Sequence, residues 1–252
     1  MKLISLNVEG SKHWDLVDPF LAGEQPDVVC LQEVFEDDAK RFAETHGMHL
    51  AFAPMSLRPN GEPPMDQKKG IAMLSRIAMD NITIEDYHQP SGGTQPIDET
   101  HDHMLERTVR RSLLRANISQ GGKTFTVATT HFTWTPDGFP RDYQYAAAEK
   151  LLALLEKIPE VVLCGDFNMP RSVNDIYERF AKKYHDAIPS KYVSSLDLNL
   201  HRVNEDPIEA QKLAGYMVDY LFLSSGYRAE NVRLESGVSD HCAIVATVDI
   251  AS

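Results

Sequence analysis

Four apolar runs in this chain each end in an amide, an acid or a histidine, which restricts it to folds whose strands deliver polar side chains to one edge of a sheet. Leu3-Ile4-Ser5-Leu6 runs into Asn7, and Val28-Val29-Cys30-Leu31 into Gln32-Glu33. Phe125-Thr126-Val127-Ala128 leads to Thr130-His131, and Val161-Val162-Leu163-Cys164 to Asp166-Phe167-Asn168. A fifth motif, Ser239-Asp240-His241, follows Gly237-Val238. Loops begin where strands end, and sites form at such edges. Polarity must return at the end of any strand, so one polar terminus means little. An ordered set means more.

The runs fall into two matching halves. A strand over 2–8, a helix over 13–21 stopped by Pro26-Asp27, and a strand over 28–32 make one β–α–β unit. A strand over 124–130, a helix over 143–157 and a strand over 161–164 after Pro159 make the second. Ala146, Leu151, Leu154 and Leu155 give the second helix an apolar face opposite Glu149, Lys150, Glu156 and Lys157. Each strand pair is expected to be parallel with a right-handed crossover. Further strands are expected over 71–75, 82–87, 112–118, 219–223 and 243–248. These runs need two sheets packed face to face with helices outside, in one α/β domain spanning 1–252.

Met55 to Lys69 and Gln89 to Glu106 read as long surface loops, either setting substrate choice at the rim or serving as plain insertions. His101-Asp102-His103 in the second is expected to face water. No segment has the length of a membrane-spanning helix and Met1-Lys2 leads straight into a strand, so the protein is expected to be cytoplasmic. No heptad pattern suggests an obligate oligomer, and a monomer is expected. Cys30, Cys164 and Cys242 lie in apolar segments without metal-ligand spacing and read as buried small hydrophobes. The formal charge of −12 argues against a broad basic surface for a nucleic-acid backbone, although a local basic groove is compatible with it. Clustered carboxylates also suit a cation site.

Ser5-Leu6-Asn7, Leu31-Gln32-Glu33, Thr130-His131, Gly165-Asp166-Phe167-Asn168, Val218-Asp219-Tyr220 and Ser239-Asp240-His241 together resemble, in type and order, the endonuclease/exonuclease/phosphatase (DNase I-like) superfamily. The resemblance covers nearly the whole chain. It implies a four-layered α/β sandwich of two mixed sheets flanked by helices, and a metal-dependent phosphoric ester hydrolase.

The resemblance further implies a Mg²⁺ or Mn²⁺ site at Glu33, with Asn7 and Asp240 completing it, since hard dications favour oxygen ligands. Asn7 also suits a turn before Glu9-Gly10, and Glu33 an edge-strand surface acid. Asp166 would orient or deprotonate the attacking water and Asn168 would contact the phosphate. Alternation on an extended segment would point these two side chains the same way with Phe167 inward. The residue-level alternative is an Asp-containing turn ending the strand.

Asp219 would orient His241, and the pairing favours an imidazolium able to donate to a phosphate oxygen or transfer a proton. His131 would be the second imidazole, at a place where apurinic endonucleases carry Tyr. Arg107, Arg110 and Arg111 are candidates to fork onto the phosphate, or form a solvated basic turn; Arg171 is a similar candidate. Trp134, Phe132 and Phe139 would stack on a base or pack under their loop. The expected substrate is a phosphoester, with nucleic acid ahead of a small phosphoester or lipid head group. A non-catalytic interaction module of the same fold is the remaining alternative, and the filled motif positions speak against it.

Overall fold

In each half, a helix carries the chain from one strand to a parallel neighbour. The computed structural model describes residues 1–58, 67–90, 93–98 and 107–251. β1 (Lys2–Asn7) crosses through α1 (Trp14–Glu24) to β2 (Val28–Phe35), with Leu3 beside Val28 and Asn7 beside Gln32. β7 (Lys123–His131) crosses through α3 (Asp142–Leu155) to β8 (Val162–Asp166), with His131 beside Asp166. The parallel pairing expected for both halves is therefore present.

The antiparallel strands β3 (His49–Leu57), β4 (Lys68–Ser75), β11 (Tyr227–Glu235) and β12 (Ala243–Ile250) complete a first sheet of order β11-β12-β1-β2-β4-β3. β5 (Met79–His88), β6 (Arg111–Gln120), β9 (His185–Asp186) and β10 (Asp219–Leu223) complete a second, β5-β6-β7-β8-β10-β9. The parallel pair occupies the same central place in both. Carboxyl ends of β1 and β2 therefore share one edge, as do those of β7 and β8. β10 runs against β8, so its first residue, Asp219, lies opposite Asp166. β12 runs against β1 with Ile244 beside Ser5, which brings the preceding Asp240-His241 to the same edge.

Strand alternation sorts the core into layers. Leu3, Val28, Cys30 and Met73 of the first sheet join Val127 and Cys164 of the second in one buried cluster, which continues to Ala148, Leu151 and Leu155 of α3. Ile4, Leu6, Val29 and Leu31 point the other way, onto Val17 and Leu21 of α1 and Ala39, Phe42 and Ala43 of α2 (Glu36–His46). The layers run helix, sheet, sheet, helix. Burying each such large aliphatic or aromatic side chain stabilises the fold by roughly 1.5–3 kcal/mol. Cys30 and Cys164 are buried as expected, while Cys242 is only partly buried.

Several elements differ from expectation. β3 runs through Leu57 and β4 starts at Lys68, so both ends of the expected 55–69 loop are strand; 59–66 lie outside the described residues. In the second expected loop, Leu57 N–H donates to the Gln95 carbonyl and Ile97 N–H to that of Leu57, extending the sheet edge. His101-Asp102-His103 lies outside the described residues. Helix α2 was not expected, although Glu36-Asp37-Asp38 fill its first turn and Gly47 ends it at φ 62°. The short helices α4 (Ile176–Ala181) and α5 (Pro207–Leu213) complete the described helical elements with a 3₁₀ turn over Arg202–Glu205. Among the described residues no helix is long and apolar enough to cross a membrane.

The β7–β8 junction depends on Gly165. A Cβ there would lie 2.0 Å from the Thr130 carbonyl oxygen, and its φ is +143°. Gly165→Ala is expected to lower stability by about 1–3 kcal/mol in urea unfolding; unchanged stability would show that the junction yields freely.

Candidate active site

Glu33 reaches the site through an irregularity in β2. Alternation points Val28, Cys30 and Gln32 between the sheets, where Gln32 Nε2 donates to Thr129 Oγ1 at 3.0 Å. Strict alternation would then send Glu33 outward with Val29 and Leu31. The register against β4 shifts between Leu31 and Val34, and Glu33 adopts φ 58°. Such a bulge re-aims a side chain, at a backbone cost of about 1–3 kcal/mol for a non-glycine residue.

The Glu33 carboxylate accepts from Asn7 Nδ2 at 3.3 Å and from the Lys69 ammonium. Burial alone would raise its pKa, but the charge of Lys69 and the bonds from Lys69 and Asn7 hold it well below the usual carboxylate range.

Asn7 ties the two sheets together. Its Nδ2 also donates to Asp166 Oδ2 at 3.0 Å, while its Oδ1 accepts the Glu9 N–H at 3.1 Å. The turn and the site are thus both present at Asn7. Asp166 is 1% exposed. Burial and the Asp219 charge push its carboxyl up to about 7, against the opposing charge of His241 and the bonds from Asn7 and the Asn168 N–H.

Asn168 reaches this region by a turn, not along an extended strand. It sits at φ 49°, its N–H donates to Asp166 Oδ1 at 2.9 Å, and its Nδ2 donates to the Phe132 carbonyl at 3.2 Å. Phe167 packs inward, against Phe180 and Phe222.

The two imidazoles are pushed toward different protonation states. His241 Nδ1 lies 2.8 Å from Asp219 Oδ2, which also accepts from Ser195 Oγ at 2.6 Å. Burial opposes a charged His241, but Asp219, Asp166 and Asp240 outweigh it and raise its pKa well above 6.5. Its Nε2 faces Asp166 Oδ2 at 3.9 Å.

His131 Nε2 lies 3.4 Å from Asp166 Oδ2 and 3.8 Å from Glu33 Oε1, and its Nδ1 has no hydrogen-bond partner among the described residues. Burial and then the Arg111 guanidinium drive its pKa well below 6.5, so it is neutral. Arg111 is buried and fixes the His131 backbone by donating to its carbonyl at 3.2 Å, as does the Tyr87 hydroxyl at the same distance.

Asp240 closes the group. Burial drives its carboxyl up to about 6, with the His241 charge opposing and those of Glu9 and Glu33 reinforcing. Glu9 and His13 lie beside Asp240, with ligand atoms of all three within 4.8 Å of one another. Glu33 and Asp240 offer carboxylate oxygens whose charges repel one another, which fits a hard divalent cation, while Asn7 turns its Nδ2 toward Glu33 and Asp166 and its Oδ1 to the Glu9 N–H.

The structure does not bring every candidate here. Arg110 is turned to Asp86, with Nε 2.7 Å from Oδ1, because β6 starts at Arg111 and its flanking residue faces the β5 edge. Arg171 clamps Asp186 and the Tyr192 carbonyl. Phe132 is fully buried against Tyr87 and is core. Trp134 is half-buried, its carbonyl accepting from the Tyr143 hydroxyl at 2.6 Å. Phe139 is 49% exposed. Two residues escaped sequence reading. Ser195 sits in a polar stretch without periodicity, and Lys69 precedes the apolar run of β4 as an ordinary solvated lysine would.

The family model described as "Endonuclease/Exonuclease/phosphatase family" matches residues 4–241. No curated protein matches. Among solved structures, the chain is similar to the human Nocturnin catalytic domain with bound sulfate anion, at TM-score 0.70 and 17% identity, covering 100% of this chain and 93% of that one. It is similar to an endonuclease/exonuclease/phosphatase family protein from Leptotrichia buccalis, at TM-score 0.72 and 16% identity over 99% of each chain. An AP endonuclease from Archaeoglobus fulgidus gives TM-score 0.64 and 20% identity over 99% of each. At these identities the likeness is one of fold.

The Asp219–His241 pair generates a direct test. In Asp219→Asn the burial and the charges of Asp166 and Asp240 remain but the bonded Asp219 charge is gone, so the His241 pKa, followed by NMR of labelled imidazoles, is expected to fall from its wild-type value. Its raised wild-type value adds stability that is full below the unfolded pKa near 6.5 and is lost as pH rises through the folded value. The variant should show less of that pH dependence. An unchanged His241 pKa would contradict the pairing.

Proposed function

Because the chain belongs to the endonuclease/exonuclease/phosphatase family, whose members hydrolyse phosphoester bonds with a divalent cation, we propose that it is a Mg²⁺- or Mn²⁺-dependent phosphodiesterase acting on nucleic acid by in-line attack of water. The observation that carries this reading is the setting of Asp166, a buried carboxyl raised to about 7 between a neutral imidazole and a charged one. A carboxylate of that basicity suits a base that orients and deprotonates water near neutral pH.

Asn7, Glu33 and Asp240 would hold the cation, which when bound supplies Lewis-acid neutralisation of charge on the phosphate. The remaining tasks belong to the chain. Asp219 holds Nδ1 of His241 and leaves Nε2 to donate to a non-bridging oxygen as charge develops there. Asn168 contributes its amide beside Asp166. Neutral His131 presents Nε2 to the same space without adding charge, and Arg111 fixes its backbone. Phe139 and Trp134, beyond the end of β7, are available to a base.

A small phosphoester is the second reading, favoured by the net charge of −12, which repels a polyanion outside the immediate site. Hydrolysis of labelled DNA and RNA, bis(p-nitrophenyl) phosphate and a phosphomonoester panel, each with Mg²⁺ or Mn²⁺, separates the two. Cation-dependent strand cleavage that falls about 10²–10⁴-fold in Asp166→Asn is expected. Monoester turnover without strand cleavage would favour the second reading, and inactivity of the folded protein on every substrate would contradict both.

A further inference from the structure

Lys69 is the one cation that bonds the carboxylate at the head of the proposed metal site, among the described residues. Its backbone is held firmly. It pairs with Phe35 just past the bulge of β2 and with Ser56 at the irregularity of β3. The next residue, Gly70, sits so close to β3 that a Cβ would lie 2.2 Å from the Ala53 carbonyl oxygen. The side chain is 19% exposed and turns toward Glu33.

Both oxygens of that carboxylate are engaged. Oε1 accepts from Asn7 and faces His131, and Oε2 accepts from Lys69. A divalent cation taking Glu33 as a ligand meets a positive charge already bonded to the same group, and the two repel at such a separation. A lysine ammonium is a compact charge on a four-carbon stem, able to swing while its Cα stays fixed.

We propose that Lys69 is an exchange residue: its ammonium neutralises Glu33 when no divalent cation is bound, and cation binding displaces it onto a phosphate oxygen of the substrate. This rests on the reading that Glu33 binds the cation. Two consequences follow. Lys69 competes with the cation in the absence of substrate, and a phosphodiester that captures the freed ammonium strengthens cation binding reciprocally.

The opposing role, a lysine that only props Glu33 in place, has the opposite sign, since its loss would weaken cation binding. Calorimetric titration with Mn²⁺ alone and with unreactive dimethyl phosphate decides between them. Lys69→Met is expected to bind Mn²⁺ about tenfold more tightly than wild type and to lose the strengthening by dimethyl phosphate, while Lys69→Arg keeps wild-type affinity. Unchanged or weaker Mn²⁺ binding by Lys69→Met would overturn the proposal. Absence of Mn²⁺ binding by the wild type would instead overturn the metal-site reading.

A measurement on wild-type sequence guards against misfolding of the variant. With the lysines reductively ¹³C-methylated, the Lys69 resonance is expected to move on addition of Mg²⁺, and a stationary resonance in protein that binds Mg²⁺ would equally overturn the exchange.

Discussion

Carboxylates taken out of water must be compensated, and here Asp166, Asp219 and Asp240 are at most 7% exposed, with Glu33 beside them. Unpaired, each would carry a desolvation penalty of several kcal/mol. The surrounding residues answer that penalty one by one. Lys69 takes Glu33, His241 and Ser195 take Asp219, and Asn7 and the Asn168 N–H share Asp166. Among the described residues Asp240 receives the Ser239 hydroxyl, at 3.1 Å, and the nearby His241 charge, and its carboxyl stays raised. The compensation is least complete at Asp240, whose carboxyl the charges of Glu9 and Glu33 also raise. That is where a dication gains most.

The two-sheet architecture supplies the means. Asn7 from one sheet donates to Asp166 from the other, and Gln32 reaches Thr129 across the same gap. Parallel pairing at the centre of each sheet gathers four carboxyl-terminal strand ends, while the reversed directions of β10 and β12 bring Asp219 and Asp240-His241 to join them. Gly165, the bulge at Glu33 and the left-handed turn at Asn168 are places where the backbone departs from regular geometry to aim these groups.

Much of this was legible in the chain because the site residues punctuate apolar runs. Asn7, His131, Asp166 and Asp219 stand at strand ends, Glu33 just inside the end of β2 and Asp240-His241 just before β12, and the fold brings them to one edge. What stayed hidden depends on pairing that periodicity does not encode. Alternation would turn Glu33 outward, and only the register with β4 reveals the bulge. Arg110 and Arg111 look equivalent in sequence, yet β6 points one at Asp86 and the other beneath His131. Lys69 and Ser195 gain meaning only from partners distant in sequence. β11 escaped because Arg228, Glu230, Arg233 and Glu235 interrupt any apolar run on this edge strand.

The proposed divalent-cation site would draw on Asn7 at the end of β1, Glu33 in the bulge of β2 and Asp240 in the segment before β12. Anomalous scattering from crystals soaked in Mn²⁺ tests it most directly. A manganese peak bounded by Asn7, Glu33 and Asp240 is expected. No peak at saturating Mn²⁺, or one held by Glu9 and His13 away from Glu33, would contradict it.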